Sequence, residues 1–202
     1  MPDKLKSVPP HWKLVVDEEM IARCISRISY EILERKGGSK NLALVGIRTG
    51  GEFFGKRVQK RIQEIEKIEI PFGIIDITLY RDDLSQAAAQ PVLRGTDLPF
   101  RVNGARIILL DDVLYTGRTI RAALDAVIDF GRPECVELAV LADRGHREFP
   151  IRADYVGKNL PTRRDEFVRV KLREAGFMDG VYLISKHPTS GRSPEIGENI
   201  DE

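Results

Sequence analysis

The sequence predicts an α/β domain in which a central, mostly parallel sheet is flanked by helices. Short apolar segments at 42–47, 106–110 and 136–142 alternate with helical patterns, and this alternation is typical of βαβ units. The chain has 202 residues, of which 42% are hydrophobic and 31% charged, a composition typical of one globular domain. Ligands of such folds bind at the carboxyl ends of the strands, so functional residues are expected there.

Charge and cysteine content exclude several classes of protein. The 32 Lys and Arg residues nearly balance the 31 Asp and Glu residues, so the net charge of +1 gives no support for general polyanion binding. No apolar run approaches the roughly 18 residues of a membrane span, and the N-terminal segment lacks the apolar stretch of a secretory signal. Cys24 and Cys135 favour buried free thiols over a zinc site or a disulfide scaffold. We therefore expect a cytoplasmic protein.

The first half of the domain begins after an N-terminal arm of residues 1–16. Apolar residues recur at three- and four-residue spacing from 20 to 33 and predict an amphipathic helix. Asp17 is its expected N-cap, and Gly37 and Gly38 mark its expected end. A strand at 42–47, a glycine turn at 48–51 and a helical pattern from 53 to 65 follow, so the main domain is expected to begin at residue 17.

The second half of the chain is less regular. Residues 68–78 predict a strand region interrupted at Pro71 and Gly73, and residues 79–104 lack any period, which predicts a long functional loop. A strand at 106–110, a helix at 120–128 and a strand at 136–142 follow. Strand-like patches then occur at 167–172 and 181–184, and the polar tail 186–202 predicts disorder.

The most informative segment joins the strand at 106–110 to the next helix. The strand delivers two adjacent carboxylates, Asp111 and Asp112, and a turn rich in Thr and Gly follows. Such a turn aims backbone N–H groups, the hydroxyls of Thr116 and Thr119 and the positive end of a helix at one anion. The carboxylates would repel a bare phosphate, so they suit sugar hydroxyls or a hard cation. A sugar phosphate with Mg²⁺ satisfies both parts, and the alternative is that the acids merely cap the helix.

Three segments together resemble one protein family. Residues 112–119 (DVLYTGRT) are similar to the phosphoribosyl-pyrophosphate (PRPP) binding motif of type I phosphoribosyltransferases. Together with residues 79–84 (LYRDDL) and 143–162, they resemble the bacterial pyrimidine operon regulators of the PyrR family, and the similarity runs from about residue 17 to 184. The resemblance implies a type I phosphoribosyltransferase fold with a flexible loop at about 79–104 and a small hood subdomain at about 143–185.

The resemblance also implies a function and partners. Such a protein binds the uridine nucleotides UMP and UTP and the pyr leader mRNA in transcription attenuation. It also converts uracil and PRPP to UMP and diphosphate with Mg²⁺ as cofactor. A cytoplasmic homodimer or higher homo-oligomer is implied as well.

The family motifs imply a nucleotide site at two turns. Asp111 and Asp112 would contact the ribose hydroxyls and organise an Mg²⁺ ion that is held through PRPP rather than directly by the protein, and Arg81 would contact the pyrophosphate. The expected PRPP and nucleotide site consists of Arg48, Thr49, Gly50, Asp111, Asp112, Val113, Leu114, Tyr115, Thr116, Gly117, Arg118 and Thr119. Family members commonly carry an arginine in place of Gly50, and its absence here shifts the expected charge contact to Arg48.

Base recognition is expected from the hood. Arg144 and the backbone of Val168 would read uracil, whose carbonyl acceptors and N–H donor suit a backbone amide and carbonyl. The alternative for Arg144 is an ion pair with Asp143 or Glu148.

An RNA-binding surface is implied by two regions. Residues 144–173 contain nine Lys and Arg against four Asp and Glu, which suits phosphate binding. The family's RNA-binding helix carries a Thr-Arg-x-x-His pattern. Here Ser26 stands in place of the threonine, Arg27 is retained, and Tyr30 replaces the histidine; a tyrosine can stack on an unpaired base. The expected RNA-binding residues are Ser26, Arg27, Tyr30, His146, Arg147, Arg152 and Lys158. A solvated helix face is the alternative.

Three functions remain open at this point. The first is a regulator that is also a uracil phosphoribosyltransferase. The second is an RNA-binding regulator with little catalytic activity, which the absence of a side chain at Gly50 favours. The third is a salvage phosphoribosyltransferase for another base such as hypoxanthine, because the PRPP motif is shared among many such enzymes.

Overall fold

The computed structural model describes residues 5–35, 37–78 and 95–185. Within these ranges the chain forms β1 (Lys13–Asp17), α1 (Glu18–Glu34), β2 (Leu42–Ile47), α2 (Gly50–Glu66), β3 (Phe72–Ile75), β4 (Arg106–Leu114), α3 (Arg118–Asp129), β5 (Cys135–Asp143), β6 (Tyr155–Asn159), β7 (Glu166–Lys171) and β8 (Gly180–Ser185). The predicted tail at 186–202 and the first part of the predicted loop, 79–94, lie outside the described residues.

The larger sheet is parallel, as the sequence predicts. Its five strands run in the order β3-β2-β4-β5-β6. Successive side chains of β4 point to opposite faces: Ile108 and Leu110 pack into the core that α1 and α2 cover, whereas Ile107 and Leu109 pack into the core beneath α3. Helices therefore cover both faces, and the carboxyl ends of the strands meet at one edge.

A second, antiparallel sheet forms the hood. Its three strands run in the order β1-β8-β7, so it combines a strand from the N-terminal arm with two strands from the end of the domain. The predicted boundary between arm and domain at residue 17 thus falls inside the described fold. The sequence pattern predicted neither β1 nor β6, because each has five residues and buries at most two of them. Such short edge strands carry too little hydrophobic pattern to be recognised.

Helix α1 begins where its sequence predicts. The side chain of Asp17 accepts a hydrogen bond from the Met20 N–H at 2.8 Å, so Asp17 is the N-cap. The helix ends at Glu34, three residues before the predicted glycine stop. Residues 95–104 of the predicted loop are described, and Asp97 exchanges two backbone hydrogen bonds with Ile74 at the edge of β3. No described helix is long and apolar enough to span a membrane.

A buried ionic network lies at the amino ends of the strands. Arg106 is only 5% exposed, and it donates to both carboxylate oxygens of Glu137 at 3.0 and 2.9 Å, to the Tyr155 hydroxyl at 3.0 Å and to the Ile32 carbonyl at 3.1 Å. Burial opposes the charge of Glu137, but the hydrogen bonds from Arg106 and Tyr155 hold its pKa below the ordinary value. The network joins α1, β4, β5 and β6 on the side of the sheet opposite the carboxyl ends.

Replacing Glu137 with Gln should destabilise the fold in a pH-dependent way. The variant leaves Arg106 buried without a carboxylate, so we expect the free energy of unfolding at pH 7 to fall by about 3 kcal/mol. A lowered pKa means that the pair stabilises the fold above the ordinary glutamate pKa of about 4.3 and loses this effect as the pH falls. The difference in the free energy of unfolding between wild type and Glu137→Gln, measured by urea denaturation, should therefore become smaller below about pH 4. The exposed Glu134→Gln is the control, and an equal effect of both variants would contradict the prediction.

Candidate active site

A cavity of about 480 Å³ opens at the carboxyl ends of the parallel strands. Its walls come from the loop after β2, the loop after β3, the end of β4, the start of α3 and one residue of β7. The lining residues are Ile47, Arg48, Thr49, Gly50, Asp76, Ile77, Thr78, Asp111, Asp112, Val113, Thr119 and Arg169. The turn after β2 and the acids of β4 thus meet in one cavity, whereas the Thr-Gly turn contributes only its flanking residues Val113 and Thr119, and predicted residues 114–118 are not among the lining residues.

The two acids lie within β4 and not in the turn after it. β4 pairs with β5 from Arg106 as far as Leu114, with Asp111 opposite Val140. Helix α3 begins only at Arg118, and its N-cap is Gly117, which makes no side-chain cap hydrogen bond. The alternative that Asp111 and Asp112 cap this helix is therefore wrong, and both acids line the cavity instead.

Burial dominates the electrostatics of the acidic pair. It raises the pKa of Asp111 well above the ordinary value, and the adjacent charge of Asp112 raises it further. Burial also raises the pKa of Asp112, while the Val113 N–H and the positive charge of Arg169 oppose this shift. Hydroxyl donors or a cation brought by a ligand would stabilise the two ionised carboxylates.

The loop after β2 approaches the acids closely. A Cβ atom built on Gly50 would overlap the carboxylate of Asp112, so any larger residue here requires this side chain to shift. The peptide bond between Arg48 and Thr49 is cis. The Nε atom of Arg48 is buried and has no hydrogen-bond partner in the described structure, which leaves a donor for a ligand in the cavity.

The Thr-Gly turn after β4 has the backbone that its sequence favours. Gly117 adopts a φ of 94°, a backbone conformation that residues other than glycine rarely adopt. The hydroxyl of Thr116 accepts from the Arg118 N–H at 3.3 Å, and the Arg118 side chain donates to Glu148 at 2.7 Å. Thr119 lines the cavity from the first turn of α3. The first turn of α3 therefore reaches the cavity through Thr119, and the N-terminus of a helix favours anions.

The predicted base-reading residues lie in the hood wall. Arg144 is 4% exposed, with its guanidinium 3.9 Å from the centre of the Tyr115 ring, and it donates to the Glu166 carbonyl at 2.7 Å and the Thr162 hydroxyl at 3.2 Å. The side chain of Val168 is buried in the core. Neither residue is among the described residues that line the cavity. Leu114 is also buried.

The alternative partners of Arg144 are engaged elsewhere. Asp143 forms an ion pair with Arg147, and Glu148 forms one with Arg118 at 2.7 Å. Arg144 therefore braces the hood through backbone carbonyls and the Tyr115 ring rather than through a carboxylate.

Sequence reasoning missed five residues of the cavity wall, of which three are polar, namely Asp76, Thr78 and Arg169. Asp76 accepts hydrogen bonds from both the N–H and the hydroxyl of Thr78, which fixes the loop after β3. Arg169 follows the buried Val168 on β7, so the two-residue period of the strand points Arg169 to the opposite face. That alternation was the available signal, and it favours Arg169 over Val168 as the side chain that faces the ligand.

The predicted RNA-binding residues fall into separate groups. Arg27 donates to the Val156 and Gly157 carbonyls at 2.8 and 2.7 Å, so it joins α1 to edge strand β6, next to the exposed Lys158. Tyr30 is 46% exposed on the same helix. Ser26 belongs to this group as well, whereas Arg152 is exposed in the loop between β5 and β6.

His146 and Arg147 lie in the loop after β5. His146 Nε2 lies 2.6 Å from the Thr162 carbonyl, and Arg147 donates to the carbonyls of Tyr115, Gly145 and Ile151. These contacts tie the loop to the Thr-Gly turn. Arg81, the predicted pyrophosphate ligand, lies outside the described residues.

The cavity suits a hard cation that a ligand also binds. Asp76, Asp111 and Asp112 supply carboxylate oxygens, the donors that Mg²⁺ prefers. Within the described ranges, no cluster of three or more His, Cys, Asp and Glu residues is arranged to hold a metal alone. Protein sites for Mg²⁺ commonly combine one or two carboxylates with substrate phosphates, and this donor set fits that description.

Comparison with known proteins decides the family. The family model described as "Phosphoribosyl transferase domain" matches residues 11–172. "Bifunctional protein PyrR" of Listeria monocytogenes serotype 4a is 56% identical over 177 residues, which cover 86% of this chain and 97% of the relative. The chain belongs to the PyrR family of phosphoribosyltransferases. PyrR proteins of Roseiflexus sp. (53% identical, covering 89% of this chain and 98% of the relative) and Deinococcus radiodurans (56%, covering 84% and 92%) agree.

Solved structures support the fold. Hypoxanthine phosphoribosyltransferase of Trypanosoma cruzi matches with a TM-score of 0.69 over 89% of this chain and 94% of that chain, at 17% identity. A hypoxanthine-guanine phosphoribosyltransferase of Bacillus anthracis matches with a TM-score of 0.63 over 85% and 97%, at 16% identity. At this identity the match establishes the type I phosphoribosyltransferase fold of the PyrR chain but not its substrate.

Replacing Gly50 with Ala should weaken the site without unfolding the protein. The new Cβ would shift the Asp112 carboxylate, so we expect kcat/KM for phosphoribosyl transfer to fall about tenfold. Because both changes act on one carboxylate, the double variant Gly50→Ala/Asp112→Asn should lose much less than the product of the two single effects. If the loss of kcat/KM in the double variant equals the product of the two single losses, Gly50 acts independently of Asp112.

Replacing Arg169 with Ala should weaken the use of PRPP. The variant removes a positive charge from the cavity wall opposite Asp112, and a charged contact of this kind corresponds to a loss of about tenfold in kcat/KM. Steady-state kinetics with varied PRPP measures the effect. Arg173→Ala is the matched control, because Arg173 is an exposed hood arginine that pairs with Glu18 at 2.8 Å. Equal kinetics for the two variants would exclude a role of Arg169 in the site.

Proposed function

We propose that this protein is a pyrimidine-responsive regulator that also converts uracil and PRPP to UMP and diphosphate. The observation that carries the proposal is the cavity that brings together the loop after β2, the adjacent acids of β4 and Thr119 at the start of α3. The relatives that are 53–56% identical over most of the chain are named "Bifunctional protein PyrR", which supports the two roles. The proposed partners are PRPP, uracil, UMP, UTP and the pyr leader mRNA.

The reaction assigns a distinct task to each part of the cavity. The backbone of the Thr-Gly turn and the hydroxyl of Thr119 would bind the 5′-phosphate of PRPP, and Asp111 and Asp112 would accept hydrogen bonds from its ribose hydroxyls. The unpartnered Nε of Arg48 and the amides after it would bind the diphosphate. Together these contacts hold the anomeric carbon in place, and positioning of this kind contributes much of the rate in a displacement.

The displacement itself needs little covalent help from the protein. A bond forms between N1 of uracil and the anomeric carbon, the bond from that carbon to the diphosphate oxygen breaks, and N1 loses its proton. Positive charge near the leaving diphosphate stabilises the transition state, and Arg48 and Arg169 can supply it. Mg²⁺, the proposed cofactor, would add charge neutralisation on the diphosphate when bound. Arg81, which lies outside the described residues, is proposed as a further diphosphate ligand.

Gly50 is compatible with catalysis in this arrangement. A regulator with little catalytic activity would be favoured if the missing side chain at Gly50 removed a contact that catalysis requires. The space above Gly50 is instead occupied by the Asp112 carboxylate, and Arg48 and Arg169 both line the cavity. This supports an active enzyme.

A synthesis assay tests the enzymatic part of the proposal. Uracil, PRPP and Mg²⁺ should give UMP, and Asp112→Asn should reduce the rate roughly a hundredfold because the ribose loses a charged acceptor. Hypoxanthine should give no product. Turnover of hypoxanthine but not uracil would replace the proposed substrate, whereas no turnover of either base would leave a purely regulatory protein.

A gel-shift titration tests the regulatory part. The leader transcript of the pyrimidine genes from the same genome should bind in low salt, and UMP should change the affinity. The double variant Arg27→Ala/Lys158→Ala should weaken binding by about tenfold or more and lower the salt dependence, because two cations near β6 are removed. Unchanged binding by this variant would exclude the surface around β6. We also propose a cytoplasmic homodimer or larger homo-oligomer, which sedimentation of the purified protein would test.

A further inference from the structure

A second arginine, on a different helix, contacts both residues at which α1 departs from the family pattern. Arg61 of α2 donates from Nε to the Ser26 hydroxyl at 3.1 Å. Its guanidinium carbon also lies 5.8 Å from the centre of the Tyr30 ring, within the range of a cation–π contact. Ser26 and Tyr30 are one turn apart on α1, so Arg61 spans that turn from the neighbouring helix.

We propose that Arg61 and Tyr30 form one RNA-binding element, in which Arg61 binds a phosphate and Tyr30 stacks on the adjacent unpaired base. The inference deepens the proposed function and rests on the RNA binding proposed above. It extends the RNA-binding surface from α1 onto α2, which the sequence pattern did not indicate.

The geometry of Arg61 suits a phosphate ligand. The contact with Ser26 uses the Nε edge and fixes the plane of the guanidinium, so less side-chain freedom is lost when a ligand binds. The terminal Nη1 atom pairs with Glu64 at 3.2 Å, three residues further along α2. Pairs of this kind on a helix surface contribute only about 0.3–0.5 kcal/mol, so a phosphate can replace Glu64 at little cost.

Tyr30 provides the matching platform for a base. Its side chain is 46% exposed, although large aromatic rings are usually more buried. A base stacked on an aromatic ring is stabilised by about 1–3 kcal/mol, and a nearby arginine adds a cation–π contribution. Because Arg61 and Tyr30 are in contact with each other, Arg61 can bind a phosphate while Tyr30 stacks on the neighbouring base.

The surroundings extend the element in both directions. A groove of about 430 Å³ runs between α1 and α2, and its walls include Ser26, the exposed Lys60 and Arg61. On the other side of α1, Arg27 reaches β6 and the exposed Lys158. The continuous path from Lys60 to Lys158 would follow an RNA backbone across two helices and an edge strand.

Two of the negative charges along this path belong to local ion pairs, and Glu34 at the end of α1 is a further exposed carboxylate. Glu31 pairs with Arg27 at 2.8 Å, and Glu64 with Arg61. At the far end of the groove, Arg57 is bound by Asp179 and Glu174 and braces the hood. The cations proposed to bind RNA along this path are therefore Arg27, Lys60, Arg61 and Lys158, and Arg57 is not one of them.

Gel-shift titrations with the pyrimidine leader transcript test the proposal across several salt concentrations. Arg61→Ala should weaken binding about tenfold and reduce the slope of log K against log salt by about 0.7–0.9, the change expected for one phosphate contact. Arg61→Lys should restore most of the slope but only part of the affinity, because the ammonium lacks the planar fork. Tyr30→Ala should weaken binding with little change in slope.

Two controls separate this role from a structural one. Arg101→Ala removes another exposed arginine, in the segment that leads into β4, and should leave RNA binding unchanged. UMP synthesis by Arg61→Ala should equal that of wild type, because Arg61 lies outside the catalytic cavity. If Arg61 only braces α2 against α1, its removal would lower Tm while the RNA affinity and salt slope stay at wild-type values.

The outcomes distinguish this inference from the function on which it rests. Wild-type affinity in Arg61→Ala, together with weakened binding by Arg27→Ala/Lys158→Ala, would overturn the role of Arg61 and leave the proposed regulator intact. No binding by the wild-type protein at low salt would overturn RNA binding itself, and the inference with it. Weakened binding with a reduced salt slope in Arg61→Ala alone, and not in Arg101→Ala, would establish the second helix as part of the surface.

Discussion

The close approach of the Asp112 carboxylate to the backbone of Gly50 is the constraint on which the candidate active site depends. It joins the end of β4 to the loop after β2, so the acids and the anion-binding loop share one cavity. Asp112 can take this position because residue 50 has no side chain in its way. Arg169 of the hood strand β7 lines the same cavity and its charge opposes the rise in the pKa of Asp112, so three separate segments define one binding space.

The fold holds these segments in place from the opposite edge. The Arg106 network lies at the amino ends of the strands and is satisfied by hydrogen bonds within the protein. At the carboxyl ends, by contrast, the acids are buried together and Arg48 has an unpartnered nitrogen. At the amino ends of the strands, the charged groups are therefore paired within the protein and stabilise the fold. At the carboxyl ends, the charged groups lack such partners and a ligand would supply them, as expected where function opposes stability.

Local signals in the sequence predicted most of the fold and the centre of the site. Apolar period and capping identified α1 with Asp17 as its cap, and the strand–acid–turn pattern identified β4 and its carboxylates. The short edge strands β1 and β6 were missed because each buries at most two residues and so leaves little hydrophobic pattern, and the partner of β1 also lies far away in the chain. Arg144 and Arg169 show a similar limit, because both belong to the predicted hood. In the structure, Arg144 packs against the Tyr115 ring, whereas the register of β7 places Arg169 in the wall of the cavity.

The hood sheet has a consequence for the order in which the chain can fold during synthesis. β1 emerges first, yet its hydrogen-bonding partner β8 is among the last segments to be made. The parallel sheet from β2 to β6 can assemble from segments that follow one another closely, whereas β1 must wait until nearly the whole domain has left the ribosome. The wall that carries Arg169 therefore closes last, and a nascent chain cannot complete its binding cavity before translation of the domain has finished.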